Sequence, residues 1–246
     1  MRKLFAVSDI HGFYTPFREA LDRAGFDPQN EEHLLIFCGD LFDRGSENLK
    51  VMQFFERTAN KVMVRGNHED LLLEIFERGR LEFYDFYNGT DKTILELFGE
   101  HAISGQNDSV DLSGKDGMAA RIGQLFSEMR PYYETKHYVF VHGWIPIGFG
   151  STGVTIRLDW RSADEEEWKE ARFIEWQQAY AKGLTLPDKT IVCGHRPAFF
   201  GHQFDRTRFP DDVTPFRGKG MVAIDAHTAR SGKVNILVLE DELLTE

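Results

Sequence analysis

The sequence predicts an α/β fold organised around a parallel sheet, and two observations support this prediction. Short apolar runs recur along the chain, and a polar turn that contains glycine follows each of them directly. Segments with the apolar spacing of amphipathic helices separate the first three runs. Parallel strands need crossover connections of this kind, and the helices cover the faces of the sheet. We therefore expect a buried parallel sheet with helices packed against it.

The first 80 residues predict the element order βαβαβα. The runs "LFAV", "LLIFC" and "KVMV" have the length and composition of buried strands. The segment "TPFREALDRAG" predicts a helix with Thr15 as its N-cap and Gly25 at its end. "SENLKVMQFFERT" and "EDLLLEIFERG" predict two more helices, the first capped by Ser46 and the second ended by Gly79.

The remaining chain predicts an insertion, two strands, a helix, a loop and a hairpin. Residues 80–135 are rich in aromatic residues and helix formers, which predicts a helical insertion beside the sheet. "YVFV" and "TIVC" predict buried strands, and "DEEEWKEARFIEWQQAYAKG" predicts one amphipathic helix with a solvated acidic face. The irregular stretch 201–220 predicts a long surface loop, and the C-terminal segment predicts a β-hairpin that turns at Ser231 and Gly232.

Composition limits the class of protein. With 246 residues and 41% hydrophobic content, we expect one domain over residues 1–246 with a well-formed core. The net charge of −11 argues against affinity for nucleic-acid backbones. Cys38 and Cys193 lie in apolar runs and predict reduced core residues. No run approaches the roughly 18 apolar residues of a membrane span, so we expect a soluble cytoplasmic protein that binds no membrane.

Side chains that bind metals follow five of the predicted strands. They are Asp9 and His11, Asp40 and Asp43, Asn67 and His68, His142, and His195. Each has an ordinary explanation taken alone, since Asp and Asn form turns and Asp43 with Arg44 could be a surface ion pair. The carboxyl ends of parallel strands share one edge, however, where ligands bind. Five such ends together predict a metal site.

The donor types restrict the metal. Carboxylate, imidazole and amide donors without thiolates suit Mn, Fe, Zn or Co and disfavour a structural zinc site. The donors outnumber those that one ion needs. We therefore expect two divalent ions about 3.5 to 4 Å apart that share one carboxylate.

The motifs "SDIHG", "GDLFDRG", "RGNHE", "VHGW" and "GHRP", in this order, resemble those of the phosphoprotein phosphatase group of calcineurin-like metallophosphoesterases. The resemblance extends from residue 5 to about residue 197. "NGTDKTILELFG" and "MRPYYETKHYVFVHG" are similar to the bacterial branch, which contains small serine/threonine phosphatases and symmetrical diadenosine tetraphosphate hydrolases. The resemblance implies a four-layer αββα sandwich with a dimetal site at the carboxyl ends of the strands.

The resemblance also implies a role for each motif residue. One ion is implied to bind Asp9, His11 and Asp40, and the other to bind Asp40, Asn67, His142 and His195, with Asp40 as the bridge. Manganese is the implied metal, with iron, zinc, cobalt or nickel as alternatives. His68 is implied to protonate the leaving alkoxide and Asp43 to orient its imidazole. Arg44 is implied to bind the phosphate.

Two further residues have open interpretations. Arg161, in "LDWRSAD", stands where the family usually has a second phosphate-binding arginine, or else it is a surface residue. Trp144 replaces a small residue of the family pattern, and it either narrows the pocket rim, stacks on a substrate ring or packs in the core. Ser8 also departs from the pattern, where the family often has glycine, but the metal donors begin only at Asp9.

These residues predict hydrolysis of phosphomonoesters by a hydroxide that bridges two metal ions. The intact "GDLFDRG" and "GNHED" favour phosphoserine or phosphothreonine in proteins, and a dinucleoside polyphosphate is the alternative substrate. An inactive metal-binding protein would lack a ligand or His68, and all are present. Four cations of the predicted 201–220 loop either bind acidic groups beside the phosphate or are only solvated: Arg206, Arg208, Arg217 and Lys219.

Overall fold

The computed structural model describes residues 1–105, 107–113, 117–150, 153–203 and 212–244. Its strands are β1 Arg2–Val7, β2 His33–Cys38, β3 Lys61–Val64, β4 Tyr133–Glu134, β5 Tyr138–Phe140, β6 Ile147–Gly150, β7 Gly153–Ile156, β8 Thr190–Cys193, β9 Phe216–Gly218, β10 Met221–Ala223 and β11 Leu237–Asp241. Its α-helices are α1 Tyr14–Ala24, α2 Asn48–Arg57, α3 Asn67–Arg78, α4 Phe83–Asn88, α5 Thr90–Phe98, α6 Met118–Ser127, α7 Glu165–Arg172, α8 Trp176–Ala181, α9 Phe199–His202 and α10 Thr228–Ser231.

Two mixed sheets form the centre of the molecule. The first has the strand order β11-β1-β2-β3, in which β1, β2 and β3 are parallel and β11 is antiparallel to β1. The second has the order β4-β5-β8-β10-β9, with β5, β8 and β10 parallel. Because both sheets contain parallel strands, the carboxyl ends of their strands can supply residues to a common site.

Three apolar clusters define the layers. One lies between the sheets and includes Ala6, Ile36, Phe140 and Val222, which come from both sheets. A second joins the outer face of the first sheet to α1, α2, α3, α5 and α6. A third joins the outer face of the second sheet to α7 and α8. This arrangement confirms the predicted αββα sandwich, and the free Cys38 and Cys193 are buried within it.

The predicted C-terminal hairpin is wrong. Strand β10 pairs with β8 and β9 in the second sheet, whereas β11 pairs with β1 in the first sheet. Helix α10 lies between the two strands, and Gly232 ends this helix instead of forming a hairpin turn. Alternation of apolar residues fixes which side of β11 is buried, but it does not specify the neighbouring strand.

The single helix predicted after residue 164 is two helices, α7 and α8. The Ala171 carbonyl accepts hydrogen bonds from the backbone N–H groups of Trp144 and Ile174. These bonds replace the helical bond that the next turn would make, so the helix ends there. The predicted loop 201–220 is also incorrect in part, because Phe216–Gly218 is strand β9, and residues 204–211 lie outside the described residues.

Residues 80–135 contain α4, α5 and α6 within their described part. Helix α5 contacts α2, and Thr90 and Thr93 in its first turn hydrogen-bond to Asp43 in the loop after β2. Two helices begin near, but not at, the positions that their predicted caps imply. Helix α1 begins at Tyr14, one residue before the predicted cap Thr15, and α2 begins at Asn48, two residues after the predicted cap Ser46. In the described part of the chain, every helix is too short or too polar to cross a bilayer.

Candidate metal centre and active site

The predicted donors converge where β1, β2, β5 and β8 end and α3 begins. Seven residues of this region other than glycine have left-handed backbone conformations: Asp9, His11, Asp40, Asp43, Arg44, His195 and His227. Such conformations are costly for residues with a Cβ and concentrate at functional sites. The chain therefore turns sharply after β1, β2, β8 and β10, which directs these side chains into one space.

Two histidines present the same ring nitrogen to this space. The Nδ1 atom of His11 lies 2.9 Å from the Phe42 carbonyl, and Nδ1 of His142 lies 2.8 Å from the Cys38 carbonyl. A carbonyl accepts only, so Nδ1 is the donor in both rings. Each Nε2 then carries the lone pair that could bind a cation, in the arrangement typical of metal-binding histidines.

Asp40 lies between two groups of donors. Its Oδ2 is 3.5 Å from Nε2 of His11, and its Oδ1 is 3.4 Å from Nε2 of His142. One group consists of His11, Asp40 and His68, and the other of Asp40, His142 and His195. Each carboxylate oxygen faces a different group, so Asp40 could contribute a donor to both.

Asp9 and Asn67 complete the predicted donor set. Oδ1 of Asp9 is 3.8 Å from Nε2 of His11, while its Oδ2 accepts a hydrogen bond of 3.0 Å from the backbone N–H of His195. Oδ1 of Asn67 lies 2.9 Å from Nε2 of His142 and 3.0 Å from Nδ1 of His195. The structure thus brings together all six predicted donors: Asp9, His11, Asp40, Asn67, His142 and His195.

The electrostatics of these donors fit a divalent cation. Burial and the charges of Asp225 and Asp40 raise the pKa of Asp9 well above its usual value. Burial likewise raises the pKa of Asp225 to about 6. Burial also acts to raise the pKa of Asp40, but the surrounding histidines outweigh it and lower that pKa. Carboxylates this close and this buried repel one another, and a bound cation would remove the repulsion.

His68 and Asp43 form a hydrogen-bonded pair beside the donors. Nδ1 of His68 lies 2.6 Å from Oδ2 of Asp43. Burial lowers the pKa of His68, but the charges of Asp40 and Asp43 outweigh this effect and raise it above 6.5. Helix α5 holds the carboxylate, because the hydroxyls of Thr90 and Thr93 donate to its two oxygens at 2.9 and 2.8 Å.

Arg44 covers the opening of the site. Its Nη1 atom is 2.6 Å from Nε2 of His11, and its Nη2 atom is 3.2 Å from Nε2 of His68. The guanidinium is therefore within reach of an anion bound between the donors and His68. Its planar fork is suited to two oxygens of a phosphate group.

Glu69 is a buried residue of this site that the sequence interpretation missed. Its carboxylate accepts hydrogen bonds from the backbone N–H groups of Asp40, Leu41 and Gly66 at 3.0, 2.8 and 2.7 Å. It thereby ties the loop after β2 to the start of α3. Burial and the Asp40 charge raise its pKa to about 7. Its position three residues after Gly66 is the spacing of a helix capping box, which is the signal that could have identified it.

Asp225 is the second missed residue. It is buried and lies two residues after the end of β10 in "MVAID", which is the same pattern of apolar run and aspartate as in the other motifs. The sequence analysis assigned this segment to a β-hairpin and therefore did not identify Asp225 as a candidate site residue. Asp225 lines a cavity of about 450 Å³ at the site, together with Arg44, His68, Arg196 and Tyr87 among others.

Arg161 does not reach this cavity. Its guanidinium donates to both oxygens of Glu134 at 2.8 and 2.6 Å and stacks on Trp160, 4.3 Å from the ring centroid. Glu134 also pairs with Lys189, which precedes β8, whereas His195 follows the opposite end of this strand. The structure therefore places Arg161 in an ion pair away from the site, which supports the surface interpretation of the two that the sequence left open.

Trp144 does not face the cavity either. Its side chain is 1% exposed and packs in the cluster beneath α7 and α8. Of the three interpretations that the sequence left open, this burial supports packing in the core. The backbone bond from Trp144 to Ala171 holds the loop after β5 against this helix layer. Arg206 and Arg208 lie outside the described residues.

The αββα scaffold thus carries this set of carboxylate, imidazole and amide donors at its strand ends. The chain belongs to the Calcineurin-like phosphoesterase family, whose sequence profile matches residues 2–223. The family and the fold were therefore both predictable from the ordered motifs.

The relatives of this chain include proteins named serine/threonine phosphatase and proteins named bis(nucleosyl)tetraphosphatase. Serine/threonine-protein phosphatase 1 of Salmonella typhimurium is 33% identical over 105 residues, which are 43% of this chain and 46% of that protein. A symmetrical bis(5'-nucleosyl)-tetraphosphatase of Aeromonas hydrophila is 43% identical over 70 residues, which are 28% of this chain and 25% of that protein. The chain thus matches less than half the length of these relatives. The crystal structure of a cold-active protein-tyrosine phosphatase from a psychrophilic Shewanella species shares the fold, with a TM-score of 0.53, 15% identity, and coverage of 98% of this chain and 76% of that one.

Proposed function

We propose that this protein is a phosphatase that uses two divalent metal ions, with manganese as the native metal, and hydrolyses phosphoserine and phosphothreonine in proteins. The observation that supports this proposal is the His68–Asp43 pair, 2.6 Å apart, beside the donors and Arg44. A serine or threonine alkoxide is a strongly basic leaving group, so its departure requires a proton donor. The leaving group of a polyphosphate is far less basic and has little need of one.

Each residue has one task in this proposal. Asp9, His11 and Asp40 would hold one ion, and Asp40, Asn67, His142 and His195 the other. When bound, such a pair supplies Lewis acidity and lowers the pKa of water. Arg44 binds the phosphate oxygens, and the protonated Nε2 of His68 gives its proton to the leaving oxygen. Asp43 keeps the ring protonated and aimed at that oxygen.

A dinucleoside polyphosphate hydrolase is the second candidate, and one observation favours it. A neighbouring cavity of about 540 Å³ shares Phe199 and His227 with the catalytic cavity and is also lined by Arg230 and Lys233. Within the described ranges, neither cation forms an ion pair. Further phosphates of such a substrate would fit these charges.

A comparison of two substrates tests the proposed function. The metal-free protein is supplied with Mn²⁺, and phosphate release from a phosphoserine/phosphothreonine peptide is compared with cleavage of diadenosine tetraphosphate. We expect a higher kcat/KM for the peptide. Cleavage of the dinucleotide with the peptide untouched would refute the proposal, and Arg230→Glu would then be expected to raise KM for the dinucleotide. No hydrolysis of either substrate or of p-nitrophenyl phosphate, with both ions bound, would instead favour an inactive metal-binding protein.

A further inference from the structure

Helix α4 exposes four aromatic side chains in six residues. Phe83 and Tyr87 are 87% and 86% exposed, and Tyr84 and Phe86 are 53% and 43% exposed. Single exposed apolar residues are common, but a contiguous patch of exposed aromatic side chains usually marks a binding site. Phe83 and Tyr87 are four positions apart and therefore share one side of the helix.

A buried polar residue attaches this helix to the protein. Asp85 is buried and accepts hydrogen bonds from Nη2 of Arg78 at 2.5 Å and from the backbone N–H of Glu82 at 2.6 Å. An ordinary surface helix buries its apolar side chains and exposes its charged ones. Helix α4 does the opposite, so its aromatic side chains do not contribute to the core.

The aromatic patch adjoins the catalytic cavity. Tyr87 and Asn88 line the cavity together with Arg44 and His68. The next residue, Gly89, has a φ of 80°, and a Cβ there would lie 2.7 Å from the backbone nitrogen of Arg44. The end of α4 is therefore packed directly against the backbone of the arginine that faces the substrate phosphate.

We propose that the aromatic surface of α4, formed by Phe83, Tyr84, Phe86 and Tyr87, is a docking surface for a phosphorylated polypeptide. This inference rests on the proposed protein-phosphatase function. The peptide places an apolar side chain on these rings while its phosphorylated residue occupies the cavity. Continuity of the patch with the cavity supports this occupant, because an extended peptide advances about 3.3 Å per residue and spans one helical turn with two residues.

Two phosphoserine peptides of equal length and charge test the inference with the Mn²⁺-loaded full chain. One has leucine and phenylalanine beside the phosphoserine, and the other has glycine and serine. The variant is Phe83→Ala/Tyr84→Ala, because neither residue lines the catalytic cavity. Phe149→Ala is the matched control, since Phe149 is also 87% exposed and lies in β6.

We expect the wild-type protein to prefer the apolar peptide, and the double variant to raise its KM about tenfold. The control variant should match the wild type, and p-nitrophenyl phosphate, which reaches only the cavity, should be hydrolysed equally by all three proteins. Equal kcat/KM values for the two peptides, or equal losses on all substrates, would overturn the inference alone. Failure to hydrolyse either peptide would refute the proposed function and the inference with it.

Sedimentation of the same proteins tests whether a second copy of the chain, instead of a peptide, covers the aromatic surface of α4. A wild-type dimer that dissociates in the double variant, with unchanged peptide kinetics, would show that a second copy of the chain covers α4. That result would also overturn the inference.

Discussion

The Asp43 carboxylate lies 2.6 Å from Nδ1 of His68, and this contact leaves Nε2 as the ring nitrogen that faces Arg44 and Asp40. With Nδ1 engaged, Nε2 is left for proton transfer, and it lies 3.8 Å from Oδ2 of Asp40. The pair is buried, so its electrostatic interaction is weakly screened. We derive the first prediction from this pair.

Asp43→Asn should shift the pH dependence of peptide hydrolysis. A proton donor is active below its pKa, and activity falls as the pH rises through it. Because Asp43 helps to raise the pKa of His68, its neutralisation should move the falling limb of kcat to lower pH and reduce kcat about 100-fold. p-Nitrophenyl phosphate, which has a weakly basic leaving group, should lose much less activity. If kcat of the variant fell at the same pH as in the wild type, a group other than His68 would be responsible for that fall.

Thr93→Val should act through Asp43 without contact with the substrate. The Thr93 hydroxyl donates to Oδ1 of Asp43 at 2.8 Å and lies 3.0 Å from the Asp43 backbone nitrogen. Its loss leaves Asp43 less firmly oriented, so we expect kcat for a phosphoserine peptide to fall about tenfold, with KM nearly constant. Thr93→Ser keeps the hydroxyl and is the control. Equal losses on the peptide and on p-nitrophenyl phosphate would indicate general structural damage instead.

The metal content of variants should distinguish the role of Asp40 from that of His68. Asp40 belongs to both donor groups, so Asp40→Asn should reduce bound manganese at both positions. His68→Asn should retain two ions per chain and slow the release of basic leaving groups most. Elemental analysis after dialysis measures both. His68 also lies in the first donor group, and loss of an ion from His68→Asn would make it a ligand instead of the acid.

Arg161→Ala and Arg44→Ala should differ in their effect on catalysis. Arg161 is about half exposed in its pair with Glu134, and such pairs contribute about 1 kcal/mol or less to stability. We therefore expect unchanged kcat and KM for Arg161→Ala, with a small decrease in Tm. Arg44→Ala should raise KM for p-nitrophenyl phosphate at least about tenfold, because it removes a bidentate phosphate contact. A comparable rise for Arg161→Ala would restore its predicted role.

The sequence alone predicted the scaffold and all six donors. Runs that end in "SDIHG", "GDLFDRG" and "GHRP" identify buried strands and the residues that follow them. The carboxyl ends of parallel strands lie on one edge, so chain order is enough to predict that Asp9, Asp40 and His195 meet. This inference needs only local pattern and the geometry of parallel sheets.

The tertiary structure decided which side chains complete the site. Thr93 reaches Asp43 from a helix 50 residues later, and Glu69 holds backbone groups 28 and 29 residues earlier. Arg161 pairs with Glu134, and Trp144 turns into the core, although local patterns allowed both to face substrate. Strand β11 joins the first sheet and leaves Asp225 at the end of β10. Hydrophobic periodicity specifies which face of an element is buried, but the partners across that face depend on long-range packing that no local pattern contains.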